Sequence, residues 1–371
     1  MVHTPSAPLS VGVIGAGVIG LACARSLLGR GARVTVFERA AAGQGASWAA
    51  AGMLAVTAEA LEAGEAEAHG VVLGRESLAL WPAWADGLGV ETGVDLGFRQ
   101  SGSLTPGFDD ADARRLEGWA RRAAALGLPA ALLDANEARE REPGLAGDLC
   151  CALYAPGDWT VDNRAVTAAL AASVNARGGA IREQAPVSRV DHDPRGCPRL
   201  YVGDAEAITF DAVVVAAGWR AARLGPHDSP LAMVSPVKGQ MLAVSAPDAA
   251  PRHVIRSERA YVTARGDGRV LIGATVEPGL SDRDVDQAAI NALRAAAVRI
   301  LPGLADAPVV ETWAGVRPGF TGRGGGPLLG EVAPGVFAAV GHHRNGILLA
   351  PATAARIADL VCGDGALPVA P

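Results

Sequence analysis

Apolar residues in this chain follow three patterns, and their order along the chain predicts the architecture. The first is the unbroken β-branched run, seen at Val11 to Ile14, Arg33 to Phe37, Ala212 to Ala216 and Val336 to Val340. Such runs bounded by glycine read as parallel strands buried on both faces. The second is short alternation between turns over 232–275, in Val237 to Val244, Tyr261 to Ala264 and Val270 to Thr275. That pattern predicts an antiparallel sheet. The third is helical spacing, which predicts helices over 57–80, 110–126, 136–143, 164–177, 284–300 and from Gly346 through Val361. Acids gather early in the first of these (Glu59, Glu62, Glu65, Glu67), and Asp282 or Asp284 is the expected cap of the fifth, with Pro302 past its end.

The parallel-strand pattern stops and resumes, so the organisation is interleaved. The expected fold class is α/β: a Rossmann-like dinucleotide domain built from 9–81, 160–231 and 306–371, with a mainly antiparallel substrate-binding domain from 82–159 and 232–305. A strand near Ala180 to Glu183, then Pro186-Val187-Ser188-Arg189-Val190 opening a short hairpin, belong to the former.

Composition narrows the classes. The 371 residues suit about two domains. With a net charge of −6 no basic face is expected, and nucleic acid is a poor candidate partner. The cysteines Cys23, Cys150, Cys151, Cys197 and Cys362 have no metal or redox spacing. Cys150 and Cys151, as neighbours in a strand, should face opposite ways, so free thiols and no metal are expected. No stretch has the length of a membrane span and the first ten residues lack a signal peptide's regions, so the cytoplasm is the expected compartment.

The densest chemistry lies in Gly15-Ala16-Gly17-Val18-Ile19-Gly20, between the first strand and an Ala/Leu-rich helix, with Glu38 ending the next strand. Gly15 allows a tight turn, Gly17 close approach of a pyrophosphate, and Gly20 close packing of helix on strand. The helix N-terminus offers free N–H groups to the phosphates, and Glu38 suits a ribose hydroxyl, which disfavours NADP. The motif alone leaves NAD and FAD open. Small residues from Gln44 to Leu54 allow a ligand to lie against backbone, and no second GxGxxG stands in strand–helix context.

Four stretches carry a family resemblance: GAGVIG with Glu38; Ala49-Ala50-Ala51-Gly52-Met53-Leu54; Trp313-Ala314-Gly315-Val316-Arg317-Pro318; and Gly341-His342-His343-Arg344-Asn345-Gly346 continuing through Thr353. Val237-Lys238-Gly239-Gln240 and Gly273-Ala274-Thr275 match in order and spacing. From about Val11 to Val361 the chain resembles the glycine oxidases of the D-amino-acid oxidase superfamily, FAD enzymes often found with thiamine biosynthesis. The resemblance implies FAD in an extended form, oxidation of a small amino acid or amine, reoxidation by O2, and a homo-oligomer. For glycine the products would be glyoxylate, ammonia and hydrogen peroxide.

Matching positions imply three catalytic residues: Arg317 as the substrate-carboxylate clamp, Tyr261 reaching the same substrate, and Arg344 near the entrance. A planar guanidinium suits that task independently, because it holds a carboxylate bidentately. The implied cofactor contacts are the Gly15–Gly20 turn, Glu38, Arg39, Ser47, Ala51, Gly52, Met53, Val187, Ala217, Gly218, Trp219, Gly315, Arg317, His343, Arg344, Asn345, Gly346 and Ile347. The final helix would direct its dipole at the flavin, stabilising negative charge. His342 and His343 read as loop residues, since hydride transfer from a neutral amine requires no general base. The pocket is read from Val276, Arg259, Met53 and Ala55. Val276 stands where methionine is familiar, Arg259 where histidine is, Ala55 where glycine is, and Trp48 replaces a small hydroxyl residue. A smaller Val276 and a cation at Arg259 suit a substrate longer than glycine, such as an N-substituted glycine. An NAD-dependent dehydrogenase would use the first motif alone and leave the Gly341–Thr353 stretch without a purpose. A non-catalytic flavin module would need none of Arg317, Tyr261 and Arg344.

Overall fold

The computed structural model describes residues 8–62, 68–203, 206–322 and 326–363. The strand Ser10–Ile14 is buried over its last four residues, and the helix Val18–Gly29 folds back onto it through Val18, Leu21, Ala22 and Leu27. A six-stranded sheet grows around that unit in the order Leu328–Ala333, Val336–Val340, Ala212–Val215, Ser10–Ile14, Arg33–Phe37, Ala180–Arg182. All neighbours are parallel except the Leu328–Ala333 edge. Ile14 is in register with Phe37 on one side and Val215 on the other. The carboxyl ends of the central strands therefore align, and Gly15, Glu38 and Ala217 emerge along one edge. That edge, where strand order departs to both sides, is where open α/β sheets place their ligands.

The second sheet has nine strands, ordered Glu277–Pro278, Val234–Ser245, Arg269–Gly273, Tyr261–Ala264, Val254–Arg256, Ser103–Gly107, Cys151–Ala155, Ala131–Asp134, with Val309–Phe320 also paired to Val234–Ser245. It is antiparallel apart from the Val254–Arg256 and Ser103–Gly107 pair. One face packs Leu104, Leu242, Ile255, Val262 and Ile272 against Ile290, Leu293 and Ala297 of the helix Gln287–Ile300. Small sheets, Val187–His192 with Pro198–Val202 and Glu206–Thr209, and Met53–Leu54 with Trp159–Thr160, complete the set.

Several expectations need correction. Val309–Phe320 runs in register with Val234–Ser245, from Val234 opposite Phe320 to Val244 opposite Val309. The antiparallel sheet thus extends to Phe320, beyond the change expected at 306, because the pairing joins segments far apart in sequence. The helix expected over 57–80 is two, Val56–Glu62 and Ala68–Thr92, and Glu65 and Glu67 lie outside the described residues. The second helix runs on through Pro82, past the expected boundary at 81. Proline interrupts helical hydrogen bonding, but fully buried Trp81 and Leu88 anchor both sides of it. The cap of the late helix is Asp286, which accepts from Ala288 N at 2.9 Å, while Asp282 is held by Lys238. Cys150 and Cys151 do not face apart: their sulfurs are 3.7 Å from each other, because Cys150 precedes the strand rather than lying in it. Both are free thiols. Among the described residues no helix is long and apolar enough to cross a membrane.

Candidate active site

A cavity of about 770 Å³ opens along the carboxyl edge of the parallel sheet and continues under the antiparallel one. Its size is that of a site for a cofactor or small ligand. At one end lie Gly15, Gly17, Val18, Ile19, Glu38, Arg39, Val187, Ala217, Gly218 and Trp219; along the middle lie Ser47, Ala51, Gly52, Met53 and Gly315. At the other end are Ala55, Arg259, Tyr261, Val276, Arg317, His343, Arg344, Asn345, Gly346 and Ile347. Of the residues expected from sequence, Ala16 and Gly20 are not on the lining. Ala16 N donates to Glu38 at 2.9 Å, and a Cβ on Gly20 would stand 1.9 Å from Gly15 O. Gly20 is thus where helix and turn touch, and Gly15 itself has a φ of 104°, a left-handed conformation that favours glycine.

The Glu38 carboxylate takes a second N–H from Ala40 at 3.0 Å, which fixes it at the strand end. Ser47 Oγ accepts from Val18 N at 2.9 Å, so it caps the first helix from a loop remote in sequence while Gly17, at the N-cap, has no side chain to do so. Such capping satisfies one of the otherwise unpaired N–H groups of a helix start.

The loop through Ser47 and Gly52 is pinned by its carbonyls. Asn163 Nδ2 donates to Ser47 O at 2.7 Å and to Trp48 O at 3.1 Å. Trp313 Nε1 donates to Ala49 O at 3.0 Å. Buried Arg265 donates to Ala51 O at 2.8 Å and to Asn163 Oδ1 at 2.9 Å. Burial pulls the Arg265 pKa down to about 10. Sequence reading missed Asn163 and Arg265, and for Trp313 only its place in the Trp-Ala-Gly motif was a signal. Trp48 is absent from the lining; its ring packs beneath the Arg164 guanidinium, 3.8 Å from the ring centre, and edge-on to Trp313.

At the far end, Arg317 comes from the long Val309–Phe320 strand and lies across Gly239 of the facing strand. A Cβ on Gly239 would stand 2.3 Å from both terminal nitrogens, so only glycine leaves room. Arg317 Nη1 donates to Thr275 O at 3.1 Å and Lys238 O at 3.3 Å, and among the described residues no carboxylate pairs with it. Burial lowers its pKa, and Arg344 adds to that, but a guanidinium keeps its charge in proteins. A half-buried cation whose partners among the described residues are neutral carbonyls calls for an anion. Tyr261 lies over Gly273, where a Cβ would come within 2.5 Å of its hydroxyl. Among the described residues that hydroxyl has only the Met241 thioether at 3.4 Å, and burial raises its pKa, keeping it a donor.

Arg344 has acid partners of its own. It reaches Glu59 at 2.8 Å and also Glu62, and buried Arg256 binds the same pair, Glu62 at 2.6 Å and Glu59 at 3.2 Å. Arg256 also contacts Met53 Sδ at 3.8 Å. Burial acts to raise the Glu62 pKa, but Arg256 and Arg344 outweigh it and the carboxyl sits below its ordinary value. The helix carrying both acids is held at its start by buried Asp158, which accepts from Thr57 N at 2.9 Å, Ala58 N at 3.2 Å and Ser103 Oγ at 2.8 Å. Arg256 and these acids were missed by sequence reading, since nothing local marks an arginine on a buried strand as paired.

His342 is fully enclosed, with Nε2 3.0 Å from Thr353 Oγ1, and burial pushes its pKa down to about 3. It is neutral and holds no exchangeable role in proton uptake near neutrality. His343 is also shifted down, by burial and then by Arg317 and Arg344.

The residues fit FAD. The first helix starts at a bare glycine, the middle wall is small residues with their carbonyls already satisfied, and Arg220, beside Trp219 on the lining, has a buried Nε with no partner. Comparison with known proteins agrees. A family model described as FAD dependent oxidoreductase, DAO, matches residues 10–360. Glycine oxidase of Geobacillus kaustophilus is 37% identical over 95% of this chain and 92% of its own length. Glycine oxidase of Pseudomonas aeruginosa PAO1 is 36% identical over 95% of this chain and 94% of its own. The crystal structure of the Geobacillus kaustophilus glycine oxidase superposes with a TM-score of 0.90 at 35% identity, covering 98% of both chains. A nicotinamide dehydrogenase is thereby set aside: the chain belongs to the DAO family of FAD-dependent oxidoreductases, in its glycine oxidase branch.

Proposed function

We propose that this enzyme oxidises glycine or an N-substituted glycine at Cα, giving glyoxylate with ammonia or the free amine, and hydrogen peroxide. The observation that carries it is Arg317, a half-buried cation whose partners among the described residues are carbonyls, on the wall of a cavity that fits FAD. The glycine oxidase activity named for relatives 36–37% identical supports the same substrate class.

The chemistry that bound FAD supplies is acceptance of the hydride from substrate Cα and its return to O2. It would be held by the Gly15–Gly20 turn, Glu38, the Ser47–Met53 wall, Ala217–Trp219 and the Gly315 and Asn345–Ile347 backbone. This chain's own side chains do the positioning. Arg317 clamps the substrate carboxylate and so fixes where Cα stands. Tyr261 donates to the same carboxylate through a hydroxyl that burial keeps protonated. Hydride transfer needs the substrate amine neutral, and with both histidine pKa values shifted down by burial the rate should rise with pH as that amine deprotonates. Arg344, with Arg256, holds Glu59 and Glu62 as one wall beside the entrance. A homo-oligomer in the cytoplasm is in keeping with this reading, and sedimentation analysis of the purified protein tests the association state.

The deciding experiment is an absorption spectrum of the purified protein, repeated anaerobically after adding glycine, sarcosine or a long N-alkylglycine. Flavin bands that bleach are the expected result, and the fastest-bleaching compound identifies the substrate class. Flavin bands that none of these compounds bleaches would reject the assignment of the pocket.

A further inference from the structure

The arginines around the substrate end are not all engaged alike. Four arginines line it: Arg256, Arg259, Arg317 and Arg344. Glu59 and Glu62 neutralise Arg256 and Arg344 through the paired contacts described above. Arg317 is matched to the carboxylate every glycine derivative carries. Arg259 remains: among the described residues its guanidinium has no hydrogen-bond or ion-pair partner, and its chain neighbour Glu258, on the same lining, reaches away to Arg115 at 3.4 Å.

Its position is set even though its side chain is unengaged. Arg259 sits in the turn between the strands Val254–Arg256 and Tyr261–Ala264, and its N–H donates to Ser257 Oγ at 3.3 Å. Ser257 Oγ also accepts from Ala260 N at 3.1 Å, so one hydroxyl orders the turn. The residue therefore stands two positions from Tyr261 on a fixed hairpin, at the rim of the same cavity. Val276 lines that rim too and is 61% exposed, an apolar surface with nothing packed over it.

We propose that Arg259 is a second anion subsite and that the favoured substrate is a glycine whose nitrogen carries a short chain ending in a negatively charged group. This rests on the reading of the cavity as a site for N-substituted glycine. The methylenes of the chain lie along Val276, and its anionic end meets Arg259 in partly wet surroundings.

Oxygen consumption by the FAD-loaded enzyme, with two probes of equal carbon count, tests it: N-(3-carboxypropyl)glycine and N-butylglycine. An ion pair this exposed contributes up to about 1 kcal/mol, so kcat/KM should favour the charged probe by about fivefold, mainly through KM. The preference should shrink at high salt. Arg259→Gln should bring the ratio of the two probes near one, and Arg259→Lys should retain part of it; comparing probes within one variant cancels any general damage. A ratio of one in the unaltered enzyme, or a preference that survives Arg259→Gln, overturns the proposal while leaving glycine oxidation in place. Failure of glycine, sarcosine and both probes to be oxidised would overturn the functional reading and this subsite with it.

Discussion

The two ends of the cavity are built differently. The end proposed for the cofactor is centred on one continuous stretch, the strand Ser10–Ile14, its glycine turn and the start of the helix Val18–Gly29, joined by Glu38 and Ala217–Trp219 at the ends of neighbouring strands. The end proposed for the substrate is assembled from side chains of distant segments: Arg317 from one strand, Tyr261 from another, Glu59 and Glu62 from a short helix, Arg344 from the turn before the last helix. Backbone sites depend on glycine and local geometry, and tolerate side-chain change. Side-chain sites depend on whatever holds each group in place, here Gly239 beneath Arg317, Gly273 beneath Tyr261, and the four-charge cluster around Glu59 and Glu62.

If that contrast is right, changes at the substrate end should alter turnover and leave FAD bound, and changes at the cofactor end should do the reverse. The largest effect is expected for Arg317→Ala. Loss of a half-buried charge-assisted clamp costs about 3–4 kcal/mol, or a loss of several hundredfold in kcat/KM for glycine, with flavin content unchanged. Gly239→Ala should follow at roughly a hundredfold, because a methyl 2.3 Å from both terminal nitrogens must displace the guanidinium. Steady-state kinetics with flavin absorbance as the loading control reads both. Parallel loss of FAD in either variant would break the separation of the two ends.

Ser47→Ala should act from the other side. It removes the oxygen that caps Val18 N at 2.9 Å, a loss of about 1 kcal/mol. FAD titration of the apoprotein should weaken about fivefold, with kcat of the loaded enzyme near its original value. A drop in kcat without weaker FAD binding would contradict this.

The smallest effect is in acid stability. Arg256 and Arg344 hold the Glu62 pKa below its unfolded value, so its contribution is present above the ordinary glutamate range and lost as pH falls through the depressed folded value. Urea midpoints of the unaltered protein and Glu62→Gln should differ near neutrality and converge below about pH 4. A constant difference across that range would show that the glutamate acts by packing and not by charge.

The same division governs what could be read in advance. Gly15, Gly17 and Glu38 were visible because turn, strand end and helix start are neighbours in sequence and each demands a residue type. Arg317 and Tyr261 were visible through resemblance, and their matching stretches give no hint of what lies beneath them. Asn163 and Arg265 were missed because they support the flavin loop by donating to carbonyls, and any backbone presents a carbonyl. Arg256 drew no reading at all, and Arg344 read as an entrance arginine with nothing nearby in sequence to reveal the acids that bind it.

The sequence by itself determined the Gly15–Gly20 turn, the α/β class and the interleaving of two sheet types. Those follow from periodicity and residue chemistry, which act over a few positions. Only the tertiary structure decided that Val309–Phe320 joins the antiparallel sheet, that Asp286 and not its neighbours caps the late helix, and which of the four arginines are already neutralised. Strand pairing and ion pairing join residues remote in the chain, and their outcome depends on which groups burial brings within reach.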